Sequence, residues 1–308
     1  MIYTCTLNPS IDYIMHVDEF EGGSLNRAKE TFFYPGGKGI NVSRVMKRLG
    51  VETIALGYKA GFTGAFIQES LEKENIKSEF ISTEGKTRVN VKLKSSDETE
   101  INGPGPVITE EQQNQLIGRI KEMTDEDTLI IAGSVPSSLP NDFYVTIAKL
   151  CEEQGTKLIA DTSGSALKQL IGSSLHLIKP NHHELGDLFQ AEVETKEQAA
   201  HYGRKLFEQG VSHVIVSMGG QGAVYIGEDV QLFAEVPKGQ VKNSVGAGDS
   251  MVAGFASALH KGEPVEEAFR FAVASGSATA FQDDLCQKED VDKLLNEISL
   301  TSIEEEQK

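Results

Sequence analysis

The feature that most constrains the fold is a regular alternation of short apolar segments with longer amphipathic segments. The apolar segments predict strands, at residues 2–7, 53–57, 129–132, 157–161, 175–179, 213–217 and 223–226. The amphipathic segments predict helices, among them residues 41–49, 110–123, 142–154 and 196–209. Strands that alternate with helices of about 10–15 residues are typical of βαβ units and of a largely parallel sheet. The pattern therefore predicts one α/β unit over residues 1–308.

Two segments depart from this alternation, residues 12–35 and residues 86–104. The first contains few helix signals, and the second includes the sequence TRVNVKLK, in which Val89, Val91 and Leu93 alternate with polar or charged residues. Such alternation is typical of a strand with one exposed face. We interpret the two segments as a small β-sheet inserted into the α/β unit, where it forms a lid. The C-terminal residues SIEEEQK, from Ser302 onward, are expected to be frayed.

The charge balance limits the possible partners. The chain has 46 acidic and 29 basic residues and a formal net charge of −17. Such a surface repels phosphate backbones and anionic lipids, which argues against binding to nucleic acid or to a membrane. A small phosphorylated substrate would therefore need a local cluster of basic groups or backbone N–H groups.

The cysteines and the N-terminus indicate the compartment. The chain has three cysteines, Cys5, Cys151 and Cys286, which are widely separated. This spacing argues against a disulfide framework and favours a reducing compartment. The N-terminal sequence lacks a signal-peptide pattern, and no apolar stretch is long enough to span a bilayer. We therefore expect a cytoplasmic protein.

The strongest local motif is the sequence NSVGAGDSMVAGF at residues 243–255. Gly246 and Gly248 allow close approach of a ligand to the backbone, and the apolar spacing after them predicts a helix. The first N–H groups of a helix have no intrahelical partner and can bind an anion. Asp249 then lies in the first turn, either as a helix-capping residue or as a proton acceptor in phosphoryl transfer to an alcohol.

A second glycine-rich motif is the sequence GGKGINVSRVMKRLG at residues 36–50. Lys38 places a positive charge beside bare backbone, and Asn41 adds an amide that can bind hydroxyl groups. The same pattern is equally consistent with a turn followed by an amphipathic helix.

A third motif, KPNHHEL at residues 179–185, follows a predicted strand. Asn181 and Glu184 could direct an amide and a carboxylate toward hydrated Mg²⁺. His182 and His183 are more typical of a solvated turn than of a zinc site, because adjacent side chains diverge and cysteine ligands are missing nearby.

The common nucleotide-binding motifs are absent from the sequence. Neither GxxxxGK[ST] nor GxGxxG occurs. The second absence argues against a nicotinamide-dependent dehydrogenase. If the protein binds ATP, it does so on another scaffold.

Together these motifs resemble the two signatures of the ribokinase/phosphofructokinase-B family of sugar kinases, with the NxxE element of KPNHHE between them. The resemblance covers essentially the whole chain. It implies a three-layer α/β/α ribokinase-like sandwich with a largely parallel sheet and a small β-sheet lid, which can also serve as the surface of a homodimer. It also implies ATP and Mg²⁺ as substrate and cofactor.

The resemblance extends to one branch of the family. The segments TLNPSID, GKTRVNVKL and AGSVPSSLP are similar to those of kinases that phosphorylate D-fructose 1-phosphate to fructose 1,6-bisphosphate. Tagatose 6-phosphate is the alternative substrate. A sugar-phosphate sensor without turnover is an alternative of another class, but a sensor would not require a proton acceptor at Asp249.

The resemblance also implies roles for individual residues. Asp249 would be the general base, and the N–H groups beside it would stabilise the phosphates, from Gly246, Ala247 and Gly248. The sugar phosphate would be bound by Asp12, Gly37, Lys38, Asn41, Arg88, Asn90 and Ser134. ATP would contact Ser217, Gly219, Gly222 and Gly248, with residues 274–277 beside the adenine. Mg²⁺ would be held, through water, by Asn181 and Glu184. Asp161 is expected only to cap a turn, and Lys92 and Lys94 to be solvated.

Overall fold

The structure, a computed structural model, describes residues 1–303 and contains one large sheet. From one edge to the other, its strands are β14 (Leu300–Ser302), β13 (Gln231–Ala234), β12 (Ala223–Ile226), β11 (Val211–Ser217), β10 (Leu175–Ile178), β9 (Lys157–Asp161), β8 (Thr128–Ala132), β1 (Ile2–Thr6), β4 (Thr53–Ala60) and β5 (Lys77–Thr83). The strands from β11 to β5 are parallel, and β12, β13 and β14 pair antiparallel at one edge.

Helices cover both faces of this sheet. In chain order they are α1 (Lys38–Arg48), α2 (Gly61–Lys73), α3 (Glu110–Ile120), α4 (Phe143–Gln154), α5 (Gly164–Leu170), α6 (His182–Phe189), α7 (Lys196–Phe207), α8 (Ala247–His260), α9 (Val265–Ala280) and α10 (Lys288–Leu294). One apolar cluster packs α3 to α7 against the sheet, and another packs α1, α8, α9 and α10 against the opposite face.

The buried strands explain why these helices are needed on both faces. In β8, Leu129 and Ile131 belong to one cluster and Ile130 to the other, because successive side chains of a strand point to opposite faces. Parallel strands with two apolar faces need cover on both sides. The predicted three-layer α/β/α fold with a largely parallel sheet is confirmed.

A second sheet of four strands lies outside this sandwich. Its order is β3 (Glu30–Gly36), β2 (Ser10–His16), β6 (Arg88–Lys94) and β7 (Glu98–Asn102). β2 and β6 are parallel, and the two outer pairs are antiparallel. β6 and β7 fall within the second segment expected to form a lid, residues 86–104. In the first segment, residues 12–35, β2 begins two residues earlier and β3 ends one residue later than expected. The action of this sheet as a lid stays a prediction.

Several local expectations were wrong. The predicted strand at residues 53–57 continues to Ala60 and is followed by α2 and β5, neither of which the sequence patterns had indicated. His182 and His183 begin helix α6 rather than lying in a turn. Ser302 is not frayed, because β14 pairs with β13, whereas residues 304–308 lie outside the described part.

Candidate active site

A cavity of about 520 Å³ lies at the carboxyl ends of the central parallel strands, between the sandwich and the four-stranded sheet. Open α/β sheets commonly bind ligands at this edge. The cavity brings together most of the predicted site residues, namely Asp12, Gly37, Lys38, Asn41, Arg88, Asn90, Ser134, Asn181, Glu184, Ser217, Gly246, Gly248 and Asp249. Residues that are more than 200 positions apart in the chain are therefore neighbours here.

A second cavity, of about 940 Å³, adjoins the first and is lined mainly by apolar side chains. The two cavities share Asn181, Ser217 and Gly248. We call the N–H groups of Gly246, Ala247 and Gly248 the anion site. The second cavity contains the remaining residues that were predicted to bind ATP or to form the anion site, which are Gly219, Gly222 and Ala247. Of residues 274–277, only Gly276 and Ser277 line it. Ala274 and Ser275 were also expected beside the adenine but do not line this cavity, and the contact of Gly276 and Ser277 with adenine stays a prediction.

Asp249 lies where the two cavities meet, in the first turn of α8. Gly246 is the N-cap of this helix with φ +80°, a conformation that favours glycine, and no side chain caps the helix. The Asp249 carboxyl group is 5% exposed and accepts a hydrogen bond of 2.8 Å from Nδ2 of Asn41. Gly246, Gly248 and Asp249 therefore line the same cavity.

The environment of Asp249 raises its pKa to about 6. Burial is the main cause, and the negative charge of Asp161 acts in the same direction. Lys38, the Asn41 hydrogen bond and Lys179 act to lower the pKa. A carboxyl group with a pKa near 6 is ionised at neutral pH and still basic enough to accept a proton.

Two lysines flank Asp161 below the anion site. Nζ of Lys38 and Nζ of Lys179 lie 3.2 and 3.6 Å from Oδ1 of the fully buried Asp161. Burial acts to raise the pKa of Asp161, but the two lysines hold it below its usual value. Asp161 is thus part of an ion-pair cluster, and the expectation that it only caps a turn was wrong.

Lys179 was missed as a site residue. Its Nζ would lie 2.9 Å from a Cβ atom at Gly248, which places the ammonium group directly beside the anion site. The signal in the sequence was a lysine immediately after an apolar strand, at the edge where ligands bind.

Asp12, on β2, lines the first cavity, which we call the sugar-side cavity because the residues expected to bind the sugar phosphate line it. Its Oδ1 accepts hydrogen bonds from Oγ of Ser10 at 2.9 Å and Nδ2 of Asn90 at 3.3 Å. Nζ of Lys92 lies 3.9 Å from its Oδ2 and 3.3 Å from Oε1 of Glu100. Lys92 is 7% exposed, so the expectation that it is solvated was wrong.

Further polar groups near this cavity come from β6 of the four-stranded sheet and from the loop after β8. Arg88 lines the cavity, and its Nε donates to the carbonyl oxygen of Asn8 at 3.2 Å. Ser134 accepts a hydrogen bond of 3.4 Å from Nδ2 of Asn8. Lys94 is half-buried, and its Nζ donates to Oδ1 of Asn243 at 3.5 Å, so it is not simply solvated either.

Asn181 and Glu184 form a capping box at the start of α6. Oδ1 of Asn181 accepts from the backbone N–H of Glu184 at 2.8 Å, and Oε2 of Glu184 accepts from that of Asn181 at 2.9 Å. Oε1 of Glu184 takes no part in this box. No cluster of three or more His, Cys, Asp or Glu within residues 1–303 could enclose a metal ion. One carboxylate fits a Mg²⁺ ion that keeps most of its water and binds substrate phosphates.

The comparison with protein families shows which class of protein has this site. Residues 5–290 match the model described as pfkB family carbohydrate kinase. The chain belongs to this family. The matched residues include both glycine motifs, Asp12 and Asp249, so the family expected from those motifs is confirmed. As a pfkB family member, the chain is a phosphotransferase with an alcohol acceptor.

Two curated pfkB relatives show how the similarity is distributed. The 1-phosphofructokinase of Bacillus subtilis (strain 168) is 50% identical over 303 residues, which cover 98% of this chain and 100% of the relative. A tagatose-6-phosphate kinase of Staphylococcus epidermidis (strain ATCC 35984) is 36% identical over 291 residues, covering 92% and 93%. The chain is therefore more similar to the 1-phosphofructokinase.

Solved structures agree with the pfkB assignment. A crystal structure of the phosphofructokinase-2 from Escherichia coli superposes with a TM-score of 0.92 at 29% identity, covering 96% of this chain and 98% of that chain. In the described part of our chain, no helix is both long and apolar enough to cross a bilayer.

Proposed function

We propose that the protein transfers the γ-phosphoryl group of ATP to the free primary hydroxyl group of D-fructose 1-phosphate, which gives fructose 1,6-bisphosphate and ADP. The observation that carries this proposal is the position of Asp249. It is a buried, hydrogen-bonded carboxyl group at an uncapped helix N-terminus, between a polar cavity and a larger apolar one. An alcohol on one side and a nucleotide on the other would meet at this carboxyl group.

The proposed chemistry is a single in-line transfer. Asp249 accepts the proton of the attacking hydroxyl group, whose oxygen forms a bond to the γ-phosphorus. The bond between that phosphorus and the bridging oxygen breaks, and its electron pair leaves with ADP. The N–H groups of Gly246, Ala247 and Gly248 hold charge on the phosphates, because they lie at the uncapped N-terminus of α8. The N–H of Ala247 donates to the carbonyl oxygen of Ser244 at 3.3 Å and exchanges this hydrogen bond for one to phosphate.

Lys38 and Lys179 neutralise further charge on the transferring group. Both ammonium groups are held by Asp161 and lie beside the anion site. Bound Mg²⁺ would shield the phosphate charge, with Glu184 and Asn181 orienting its waters. In a chain with a net charge of −17, this local concentration of donors is what allows a polyanionic substrate to bind.

The substrate assignment rests on the polar face of β6 and on the relatives. Arg88 and Asn90 project into the sugar-side cavity from alternate positions of one strand. Together with Lys38 and Ser134, they offer the donors that a sugar phosphate needs. Asp12, with Gly37 and Asn41 nearby, offers acceptors and donors for hydroxyl groups. The 50% identity to a 1-phosphofructokinase, against 36% to a tagatose-6-phosphate kinase, favours fructose 1-phosphate.

The decisive experiment measures ADP production from Mg-ATP with fructose 1-phosphate, tagatose 6-phosphate and unphosphorylated hexoses. We expect the highest kcat/KM for fructose 1-phosphate. Comparable values for both sugar phosphates would contradict the narrow assignment. Asp249→Asn should lower kcat at least ~100-fold and leave ATP binding intact, since a general base contributes on this scale. Wild-type turnover in Asp249→Asn would exclude Asp249 as the base.

A second variant tests the substrate phosphate. Arg88→Ala should raise the KM for fructose 1-phosphate about 10-fold or more and leave the KM for ATP nearly unchanged, because a charge-assisted contact to phosphate is lost. Equal losses for both substrates would argue against a role of Arg88 at the sugar phosphate.

We also propose that the sheet of residues 12–35 and 86–104 acts as a lid and as a homodimer surface. Phe33 of β3 is 53% exposed and stacks on Tyr13 of β2 with ring centroids 4.2 Å apart, so one face of this sheet carries an exposed aromatic pair. Exposed aromatic patches are typical of protein interfaces. Phe33→Glu should convert a dimer to a monomer in sedimentation experiments. A wild-type protein that sediments as a monomer would contradict this proposal.

A further inference from the structure

A cluster of charged side chains, with a buried arginine and two half-buried carboxylates, lies next to the sugar-side cavity and has no part in the proposed chemistry. Its centre is Arg44 of α1, which is 4% exposed. Nε of Arg44 donates to Oε1 of Glu74 at 2.8 Å, and its two terminal nitrogens donate to Oδ1 and Oδ2 of Asp284 at 3.3 and 2.9 Å. We call the Arg44–Asp284 pair the clamp.

A second arginine of α1, Arg48, binds the loop that carries Asp284, between α9 and α10. Arg48 donates to Oδ2 of Asp284 at 2.9 Å and to the carbonyl oxygens of Leu285 and Cys286. Burial acts to raise the pKa of the Asp284 carboxyl group, but Arg44 and Arg48 hold it below its usual value. The loop between α9 and α10 is therefore tied to α1 by both side-chain and backbone acceptors.

This loop packs against the turn that forms the anion site. A Cβ atom at Gly246 would lie 2.5 Å from Cδ2 of the buried Leu285, so the two residues are in tight contact. The backbone N–H of Cys286 donates to Oγ1 of Thr279 at 3.0 Å, and that oxygen lies 2.6 Å from Oγ of Ser250. The loop thus packs on Gly246, just before α8, and is linked through Thr279 of α9 to Ser250, just after Asp249.

Helix α1 consequently holds the start of α8 at two points. Asn41 donates directly to Asp249 at 2.8 Å. Arg44, one turn further along α1, acts through Asp284 and the contact of Leu285 with Gly246. Because no side chain caps α8, the position of its first N–H groups depends on the groups packed around the turn.

We propose that Arg44 and Asp284 are positioning residues that keep the N–H groups of Gly246–Gly248 at a fixed position relative to the Asp249 carboxylate. This inference rests on the proposed function, because it assumes that this geometry serves phosphoryl transfer. Buried ion pairs contribute little net stability compared with apolar side chains of the same size. Misplacement of reacting groups by about 1 Å, by contrast, can cost a factor of about 100 in rate. The clamp should therefore affect kcat more than substrate affinity.

The test compares Arg44→Ala with Arg119→Ala. Arg119 of α3 also bridges two carboxylates, those of Glu79 and Glu122, but it lines neither cavity. We expect Arg44→Ala to lower kcat about 10- to 100-fold with less than about a 3-fold change in either KM. Arg119→Ala should keep the wild-type kcat, whatever the change in thermal stability of either variant.

Chemical rescue separates positioning from a general loss of stability. Millimolar guanidinium chloride should restore part of the kcat of Arg44→Ala, because the added cation can occupy the space between Asp284 and Glu74. Sodium chloride at the same ionic strength should not, and neither salt should raise the kcat of wild type or Arg119→Ala. If Arg44→Ala does not fold, Asp284→Asn replaces it, and the same fall in kcat at nearly constant KM is expected.

The outcomes distinguish the two proposals. A wild-type protein without activity on fructose 1-phosphate or another sugar phosphate refutes the proposed function. An active wild type with an unchanged kcat in Arg44→Ala, or in Asp284→Asn, refutes only the clamp. A fall in kcat that guanidinium does not relieve, with an equal rise in both KM values, also refutes the clamp, since it indicates a general distortion.

Discussion

The pH dependence of turnover offers a direct test of the environment built around Asp249. Asn41 donates a hydrogen bond of 2.8 Å to the Asp249 carboxylate and thereby lowers its pKa, against the larger effect of burial. A hydrogen bond to a charged group contributes about 1.5–3 kcal/mol, and about 1.36 kcal/mol corresponds to one pKa unit. Asn41→Ala should therefore raise the pKa of Asp249 by at least about one unit from its value of about 6.

The assay is kcat/KM for fructose 1-phosphate at a low, fixed ATP concentration between pH 5 and pH 9, because kcat/KM reports the pKa of the enzyme without bound substrates. A general base is inactive when protonated, so kcat/KM falls on the acid side of its pKa. In wild type the fall should begin near pH 6, and in Asn41→Ala it should begin at least about one pH unit higher. The position of the fall is the quantity compared, because Asn41 also lines the sugar-side cavity and the maximal rate can change for that reason.

A matched control excludes the substrate as the cause. The phosphate of the substrate itself titrates near pH 6, but this ionisation is the same for every enzyme variant. Asn90→Ala also removes an amide from the sugar-side cavity, and the hydrogen bond it removes goes to Asp12. Its acid limb should coincide with that of wild type. An Asn41→Ala profile that superposes on wild type, or a wild-type kcat/KM that stays constant down to pH 5, would refute the assignment of the base.

Two predictions concern stability. Gly246→Ala should lower the free energy of unfolding by at least about 2 kcal/mol, because it adds an overlap with Leu285 to the strain of φ +80°. Gly262→Ala has the same φ and open space, so urea denaturation should show a loss of only about 1 kcal/mol, and equal losses would contradict the proposed contact. Burial, together with the charges of His213 and Lys157, lowers the pKa of His176 to about 4 from its ordinary 6.5, so the unfolded state binds more protons between these values. Stability should therefore fall as the pH drops from about 6.5 to about 4. His176→Gln should flatten this dependence, and an unchanged slope in urea denaturation would refute it.

The fold was predictable because its main signals are local. Short apolar segments such as those that became β8 and β9 have buried side chains on both faces, which only a covered sheet can provide. Their carboxyl ends necessarily meet at one edge, so the motifs that follow them were expected to lie together. β5 was missed because its half-exposed sequence KSEFIST carries no strong apolar run.

The site was predictable only in part, for a different reason. Glycine motifs and a following acidic residue indicated the anion site and Asp249 from the sequence alone. The burial of Lys92 between two carboxylates and the pairing of Lys179 with Asp161 carried no local signal, because each depends on a partner in another segment. Polar side chains on a strand look equally solvated in a sequence whether or not a second sheet covers them.

The amino-acid sequence by itself determined the α/β class, the glycine turns and the residue types available for phosphoryl transfer, since periodicity and backbone freedom are properties of neighbouring residues. Only the tertiary structure decided how basic Asp249 is, which lysines stand beside the anion site and which loop supports Gly246. These properties arise from desolvation and from charges that lie close in space, such as Lys38 and Lys179 at 3.2 and 3.6 Å from Asp161. They also arise from hydrogen bonds between distant segments, such as that of Asn41 to Asp249, 208 positions apart in the chain.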